Sequence, residues 1–218
     1  MSTTDSAALE VALNTTIARA LDALRDGRPV LVADAADREN EVDAIFAADR
    51  ASAKWVAWIV RHSSGYLCAP LPAARADELE LPLMVAQTQD SLRTAYAVSV
   101  DAAVGVTTGI SAADRATTLR ALANPNAHPS DLIRPGHVLP LRAVPGGVLA
   151  RAGHTEAAVD LVRLADTGEV GAIAELVHDT GEVMRYPEAA ALAEREGLEL
   201  LTITELREYR LATERTRV

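Results

Sequence analysis

Apolar residues near the N-terminus recur at steps of three and four, which is the period of an amphipathic helix. The spacing of Leu9, Leu13, Ile17, Leu21 and Leu24 predicts one such helix over residues 6–26. Beyond it the pattern changes to short apolar runs separated by polar or proline-containing turns, which favours strands alternating with helices. The sequence therefore predicts both element types along most of its length.

The same patterning predicts the remaining elements, and Ser52 and Ser111 are predicted to cap the helices that they begin. Strands are predicted at residues 29–33, 44–48, 66–69, 96–100, 138–142, 172–177 and 198–203, with an extended piece at 148–150. Helices are predicted at residues 52–61, within 70–84, and at 111–123, 156–165, 187–196 and 204–213. Residues 124–135 are polar and contain prolines, so they form the longest predicted loop.

Strands and helices are mixed without internal repeats or a linker, so we expect a single α+β domain over residues 1–218. Some neighbouring strands are separated by turns and others by helices, which indicates a mixed sheet. The chain of 218 residues is 49% apolar, enough to bury a substantial core. Its single cysteine, Cys68, excludes an internal disulfide and reads as a small buried residue.

Charge and composition restrict the classes of partner. The net charge of -10 argues against binding to nucleic acid or to an anionic membrane surface. The N-terminus lacks a basic segment followed by an apolar block, and no apolar run reaches membrane-spanning length. We therefore expect neither export nor membrane insertion, and a reducing, cytoplasmic location.

The stretch Asp34–Asp43 places five carboxylates and one arginine directly after a predicted strand. Such oxygen-rich clusters suit a hard cation such as Mg²⁺, and Arg38 is suited to a phosphate or carboxylate of a substrate. The alternative interpretation is an acidic surface turn.

The stretch Arg151–Thr155 is a second candidate site, because a glycine turn leads into a predicted helix start. Unpaired backbone N–H groups there form a seat for a phosphate or carboxylate. His154 in the same turn is suited to complete a metal site begun by a carboxylate of the acidic stretch. A simple helix cap and a structural turn histidine are the alternatives.

Two more residues are candidates for proton transfer. His137 lies between a glycine and a predicted strand, a suitable place for a general acid or base, although a surface histidine has the same pattern. Glu175 interrupts a predicted apolar strand. Burial of a carboxylate there costs free energy, so the residue is expected to have a charge partner or a catalytic role. If the strand lies at the edge of the sheet, the alternative applies, and Glu175 is a solvent-exposed carboxylate without a functional role.

Four ordered segments resemble the 3,4-dihydroxy-2-butanone 4-phosphate synthase family of riboflavin biosynthesis: Asp37–Glu41, Gly105–Arg115, Arg134–Arg142 and Arg151–Ala157. The resemblance implies a three-layer α+β fold and a homodimer with its sites at the subunit interface. It implies a lyase that uses Mg²⁺, with Mn²⁺ as the alternative, to convert ribulose 5-phosphate into 3,4-dihydroxy-2-butanone 4-phosphate and formate. The GTP cyclohydrolase domain fused in some relatives is expected to be absent.

The resemblance also implies roles for individual residues. Glu39 and His154 match the metal ligands of the family, and His137 and Glu175 match its catalytic pair. The substrate-binding positions are matched by Arg38, Glu39, Asp43, Arg151, Ala152, Gly153, His154 and Thr155.

The acidic stretch departs from the usual family text, Asp-Asp-Glu-Asp-Arg-Glu-Asn-Glu-Gly-Asp. Ala35 and Ala36 replace two acids, which would weaken metal binding and proton transfer, and the β-branched Val42 replaces a glycine. Three hypotheses therefore stand: the ordinary synthase, a paralogue acting on a related sugar phosphate in specialised metabolism, and a non-catalytic binding protein on the same fold.

Overall fold

Seven strands form one sheet in a computed structural model that describes residues 3–216, with side chains over 13–214. The strands are β1 (Val30–Ala33), β2 (Val42–Ala47), β3 (Cys68–Pro72), β4 (Val100–Ala102), β5 (Leu132–Ala143), β6 (Gly171–Glu175) and β7 (Leu200–Thr202). Their order across the sheet is β4-β5-β3-β6-β2-β1-β7. The β1–β7 and β3–β5 pairs are parallel and the others are antiparallel, which confirms the predicted mixed sheet.

The helices are α1 (Thr3–Arg25), α2 (Ala53–His62), α3 (Ala73–Glu78), α4 (Ala112–Ala123), α5 (His154–Leu164), α6 (Tyr186–Glu196) and α7 (Ile203–Thr216). Two predicted caps are confirmed, since the Ser52 hydroxyl accepts the N–H of Trp55 and the Ser111 hydroxyl accepts that of Asp114. The α+β class predicted from the sequence is confirmed. Within residues 3–216, no helix is long and apolar enough to cross a bilayer.

The predicted loop over residues 124–135 is wrong at its C-terminal end. Residues 129–131 form a short 3₁₀ helix, and β5 already begins at Leu132, which pairs with Ala102 of β4. The sequence gives no strand signal here, because Ile133 and His137 belong to β5 and yet have exposed side chains. Pairing with a neighbouring strand, which local sequence does not report, decides the conformation here.

Two other extended predictions are also wrong. Residues 147–149 form a 3₁₀ helix that follows Gly146 at φ +97°, since the left-handed glycine turns the chain before it can extend. Of residues 96–100, only Val100 belongs to a strand, while Tyr96 and Ala97 make isolated bridges to Leu141 and Leu83. These short contacts place Tyr96 beside β5 without a continuous ladder.

Helix α5 lies against the central strands of the sheet. It packs against β2, β3, β5 and β6 with residues 154–162 all buried. A Cβ on Gly171 would lie 2.9 Å from the Cβ of Ala158, so the small residues at these two positions allow α5 to approach β6. The N-terminus of α5 is thereby fixed above the ends of β2 and β6.

Candidate active site

The acidic stretch folds around Asp34, the first residue after β1. Asp34 Oδ1 accepts the backbone N–H of Glu41 at 2.9 Å, and Oδ2 accepts the backbone N–H of Glu39 at 2.9 Å. Oδ2 also accepts a guanidinium N–H of Arg38 at 2.9 Å, and the Asp34 side chain is only 1% exposed. Asp34 therefore shapes the loop that presents Arg38 and Glu39, a role that the sequence analysis did not assign to it.

Arg185 holds the same loop from its outer side. Its guanidinium donates to the backbone carbonyls of Glu39 at 3.0 Å and of Asn40. Asn40 has φ +55°, a left-handed conformation that asparagine tolerates better than most residues. Asn40 and Arg185 together fix the turn that returns the chain from Glu39 to β2.

Sheet register brings Asp43 and Glu175 side by side. Asp43 in β2 pairs with Glu175 at the end of β6, and Cys68 of β3 pairs with Ile173 of β6. Side chains at directly paired positions point to the same face of a sheet, and all four line one pocket. The floor of this pocket therefore carries two carboxylates from adjacent strands.

Asp43 is the most strongly perturbed acid of the pocket. Burial raises its pKa well above the ordinary value of 3.8, and the nearby carboxylates of Glu175 and Glu39 raise it further. Its side chain is 2% exposed, and Oδ1 has no hydrogen-bond partner among the described residues. A buried carboxyl oxygen without a hydrogen bond lowers the stability of the fold, and such groups are concentrated at functional sites.

His154, the first residue of α5, faces this carboxyl. Its Nε2 lies 3.0 Å from the carbonyl oxygen of Val32, and a carbonyl only accepts, so Nε2 carries the hydrogen and Nδ1 keeps its lone pair. Nδ1 lies 3.6 Å from Asp43 Oδ1 and 3.9 Å from Glu39 Oε2. Burial lowers the pKa of His154 to about 4, so the ring is neutral near pH 7.

These residues fit a divalent cation. His154 Nδ1 and Asp43 Oδ1 are both acceptors, and they face each other without a donor from the described chain between them. A ring nitrogen bonded to a backbone carbonyl, with the other nitrogen free, is the usual arrangement of a metal-ligating histidine. Ligand atoms of Asp34, Glu39 and His154 lie within 4.8 Å of one another, and carboxylates suit Mg²⁺ or Mn²⁺.

The segment before α5 forms a second wall of the pocket. Arg151 pairs with Glu156 at 2.6 Å and donates to the carbonyl of Leu92 at 3.0 Å. A Cβ on Gly153 would lie 2.4 Å from the Arg151 guanidinium, so glycine at this position leaves room for that side chain. Thr155 lines the pocket in the first turn of α5, where backbone N–H groups suit an anion.

Glu175 is held by the turn between α2 and β3. The hydroxyl of Ser64 lies 3.1 Å from Glu175 Oε2, and the backbone N–H of Ser64 donates to the Glu175 carbonyl at 3.0 Å. The same hydroxyl accepts the backbone N–H of Tyr66 at 3.2 Å, so its own hydrogen is free to point to the carboxylate. Glu175 is thus a half-buried strand-end carboxylate with a hydroxyl donor.

His137 lies elsewhere, although it belongs to the same sheet. Its ring is 39% exposed on β5, and Nδ1 lies 2.7 Å from Asp101 Oδ2. Among the described residues it does not line the pocket that holds Glu39, His154 and Glu175. One chain therefore does not bring the expected catalytic pair, His137 and Glu175, into one pocket.

The pocket gathers most of the residues expected from the sequence. Seven of them line it: Arg38, Glu39, Asp43, Arg151, His154, Thr155 and Glu175. Ala152 lines a neighbouring cavity with Ala35, and Gly153 supplies the N-cap position of α5. Six further lining residues were not predicted from the sequence: Glu41, Cys68, Thr94, Tyr96, Leu141 and Ile173. Glu41 was detectable as part of the acidic stretch, whereas apolar residues such as Ile173 are revealed only by the register.

The departures from the family text do not fall in the pocket. Ala35 and Ala36 are exposed, and neither lines it. Val42 is buried in β2 opposite Ala33, and it is not among the residues with positive φ. The left-handed conformation falls on Asn40 instead, so a β-branched residue at position 42 is not strained.

Known proteins resemble this chain over most of its length. The profile of the family described as 3,4-dihydroxy-2-butanone 4-phosphate synthase matches residues 18–209. The chain is 52% identical over 199 residues to the 3,4-dihydroxy-2-butanone 4-phosphate synthase of Pectobacterium carotovorum subsp. carotovorum, which covers 91% of this chain and 92% of the relative. It is 54% identical over 200 residues to the riboflavin biosynthesis protein RibBA of Salinispora arenicola, and it spans 48% of that longer relative.

Solved structures show the same fold. A crystal structure of a 3,4-dihydroxy-2-butanone 4-phosphate synthase in complex with two magnesium ions matches with a TM-score of 0.88 and 46% identity, covering 91% of this chain and 97% of that one. The Candida albicans 3,4-dihydroxy-2-butanone 4-phosphate synthase matches with a TM-score of 0.83 and 49% identity, covering 88% and 96% of the two chains.

Proposed function

This chain belongs to the 3,4-dihydroxy-2-butanone 4-phosphate synthase family of riboflavin biosynthesis, and we propose that it converts D-ribulose 5-phosphate into 3,4-dihydroxy-2-butanone 4-phosphate and formate. The observation that carries this proposal is the convergence of Glu39, Asp43, His154 and Glu175 on one pocket. The exposed position of Ala35 supports the ordinary substrate over a related sugar phosphate, because the substitution leaves the pocket chemistry in place.

Mg²⁺ is the proposed cation, held by Glu39 and His154, with Mn²⁺ as the alternative. The donor set and the magnesium-bound relative support this assignment. Glu39, whose Oε2 pairs with Arg38, and His154 are better candidates than Asp34, whose oxygens accept three hydrogen bonds from the loop. When bound, the cation would supply Lewis-acid polarisation of the ketose oxygens.

The chain's own residues are proposed to hold the substrate and move its protons. Arg151, Thr155 and the first turn of α5 would hold the phosphate, which orients the reacting carbons. Asp43 and Arg38 would contact the sugar. Removal of the C3 proton, loss of the C1 hydroxyl as water, a carbon-skeleton shift that moves C5 from C4 to C3, and release of C4 as formate after addition of water require several proton transfers, which Glu175 and His137 would share.

A homodimer with shared sites is proposed because His137 does not line the pocket of its own chain. Exposed apolar side chains surround its part of the chain: Val104 is 77% exposed, Ile110 53% and Ile133 51%. Apolar surface of this kind favours a partner, and in a two-fold dimer each chain would supply its His137 to the pocket of the other.

The activity is tested with purified protein, D-ribulose 5-phosphate and Mg²⁺. We expect one formate per sugar phosphate, and a loss of more than about 100-fold in kcat for Glu39→Gln. The matched control is Glu194→Gln, an exposed glutamate of α6, which should behave as wild type. Consumption of the sugar phosphate without formate would instead indicate a paralogue, and the absence of any turnover despite binding would indicate a binding protein.

Sharing of the sites is tested by mixing two inactive variants. Homodimers of His137→Gln and of Glu39→Gln should each be inactive, whereas a mixed dimer would contain one pocket with neither substitution. We expect formate production to return after the two are unfolded together and refolded. If mixing restores no activity while co-purification of differently tagged subunits shows mixed dimers, His137 acts on its own chain and the shared-site proposal is wrong.

A further inference from the structure

Asp101 and His137 form a hydrogen-bonded pair on the β4–β5 side of the sheet. His137 Nδ1 lies 2.7 Å from Asp101 Oδ2, and the backbone N–H of His137 donates to Asp101 Oδ1 at 2.9 Å. The Asp101 side chain is 10% exposed, so the pair is largely shielded from solvent on that side. One carboxylate thereby fixes both the backbone and the ring of the histidine.

An irregularity in the strand pairing creates this contact. Val100 pairs with Val138, but the next residue, Asp101, pairs with Ile133, so four residues of β5 bulge out between the two partners. Bulges re-aim side chains in this way. Here the bulge carries His137 to the Asp101 carboxylate.

Gly109 closes over the pair. A Cβ on Gly109 would lie 2.0 Å from Asp101 Oδ2 and 2.7 Å from His137 Nδ1, and its φ of +91° also favours glycine. The backbone N–H of Gly109 donates to Asp114 at 3.1 Å, which ties the loop to α4. The loop backbone therefore occupies the space that water would need to compete for the Asp101 carboxylate.

We propose that Asp101 is a positioning residue that keeps the hydrogen of the His137 ring on Nδ1, so that Nε2 holds the lone pair that exchanges a proton with the substrate. A carboxylate only accepts hydrogen bonds, so a neutral imidazole at 2.7 Å from it must donate through Nδ1. This inference rests on the catalytic role proposed for His137. It adds the residue that sets which ring nitrogen is available.

Asp101→Asn inverts the tautomer without changing the shape of the side chain. The backbone N–H of His137 needs an acceptor, so the amide oxygen of the asparagine takes the place of Oδ1 and its NH₂ group faces Nδ1. The ring must then accept at Nδ1 and carry its hydrogen on Nε2. Asp101→Glu retains the carboxylate and tests whether the charge or the exact reach matters.

The tautomer is measured by long-range ¹H–¹⁵N NMR correlations of the labelled protein at neutral pH. The His137 signals are identified among the five histidines by their loss in His137→Gln. We expect the Nδ1–H form in the wild type, the Nε2–H form in Asp101→Asn, and a kcat that falls roughly 10²- to 10⁴-fold with KM nearly unchanged. Asp101→Glu should keep the Nδ1–H form and more activity than Asp101→Asn.

Asp131→Asn is the matched control, because Asp131 also accepts the backbone N–H of a histidine, His128, at 2.8 Å. It should change neither the His137 tautomer nor kcat. An Nε2–H form in the wild type, or an inverted tautomer with unchanged kcat, would overturn the inference. The tautomer is read without substrate, so a protein that makes no formate would refute the proposed function while this measurement still decides the role of Asp101.

Discussion

His154 Nδ1 faces Asp43 Oδ1 at 3.6 Å, and the Asp43 atom has no hydrogen-bond donor within the described residues. Two acceptors in a buried pocket repel unless a proton or a cation lies between them. The fold tolerates this arrangement because β2 and α5 are fixed by the core on both sides of the pocket. We therefore expect the stability and the cation binding of this protein to be linked through these two residues.

Asp43→Asn should stabilise the protein in the absence of metal. The substitution removes a buried carboxyl whose pKa is raised by burial, and the gain is expected to be about 0.5–2 kcal/mol in the free energy of unfolding. Urea denaturation with a chelator at pH 8 measures it. The exposed Asp179→Asn serves as the control. A less stable Asp43→Asn would mean that the carboxyl is satisfied in the folded protein.

His154 should make folding stability depend on pH. Its pKa is about 4 in the folded protein against an ordinary 6.5, so the unfolded chain takes up a proton first as the pH falls. The stability contributed by neutral His154 is therefore present above about pH 6.5 and is lost as the pH falls toward 4.

Because the pKa of Asp43 is raised in the folded protein, this carboxyl makes the protein less stable as the pH rises above 3.8, which opposes the effect of His154. The effect of His154 is therefore measured with Asp43→Asn present in both proteins. We expect the free energy of unfolding to fall more steeply between pH 7 and about 4.5 in Asp43→Asn than in the double variant with His154→Gln. Equal slopes for the two proteins would show that the buried ring is not the group that titrates.

Ser64→Ala should lower kcat about fivefold with little change in KM. The hydroxyl lies 3.1 Å from Glu175 Oε2, and one net hydrogen bond is worth about 1 kcal/mol. Steady-state kinetics with formate detection measures the effect. Ser63→Ala is the matched control, since the Ser63 hydroxyl accepts the N–H of Gly65 in the same turn and has no other hydrogen bond among the described residues.

Ser64→Thr should restore most of the activity, because position 64 is exposed and a threonine keeps the hydroxyl. If Ser64→Ala and Ser63→Ala lose activity equally, the loss comes from the turn as a whole and the contact with Glu175 is unimportant.

Arg185→Met should weaken cation binding roughly tenfold, the lower range of effects known for residues that orient metal ligands. Arg185 donates to the carbonyls of Glu39 and Asn40, so its loss frees the turn that presents Glu39. Isothermal titration with Mg²⁺ measures the affinity. Arg195→Met, which removes only a surface pair with Glu196, should bind the cation normally, and equal affinities for both variants would contradict this role.

The sequence by itself determined which chemical groups are available for a site. The acidic stretch, the glycine turn before α5 and the two serine caps are local patterns, because a few consecutive residues are enough to define a loop, an anion seat or a helix start. For this reason Arg38, Glu39 and Thr155 could be expected at a site before any fold was known. The same local rules misplaced the start of β5, where an exposed, polar strand has no periodic signal.

Only the tertiary structure decided which groups meet. Asp43 and Glu175 are 132 positions apart and become neighbours through the β2–β6 register, since paired positions share a face. The separation of His137 from that pocket, and its capture by Asp101, depend on a strand bulge that no local pattern reveals. Asp34, the first residue of the acidic stretch, serves as the hydrogen-bonding centre of its loop, because its side chain is buried and three donors occupy its oxygens.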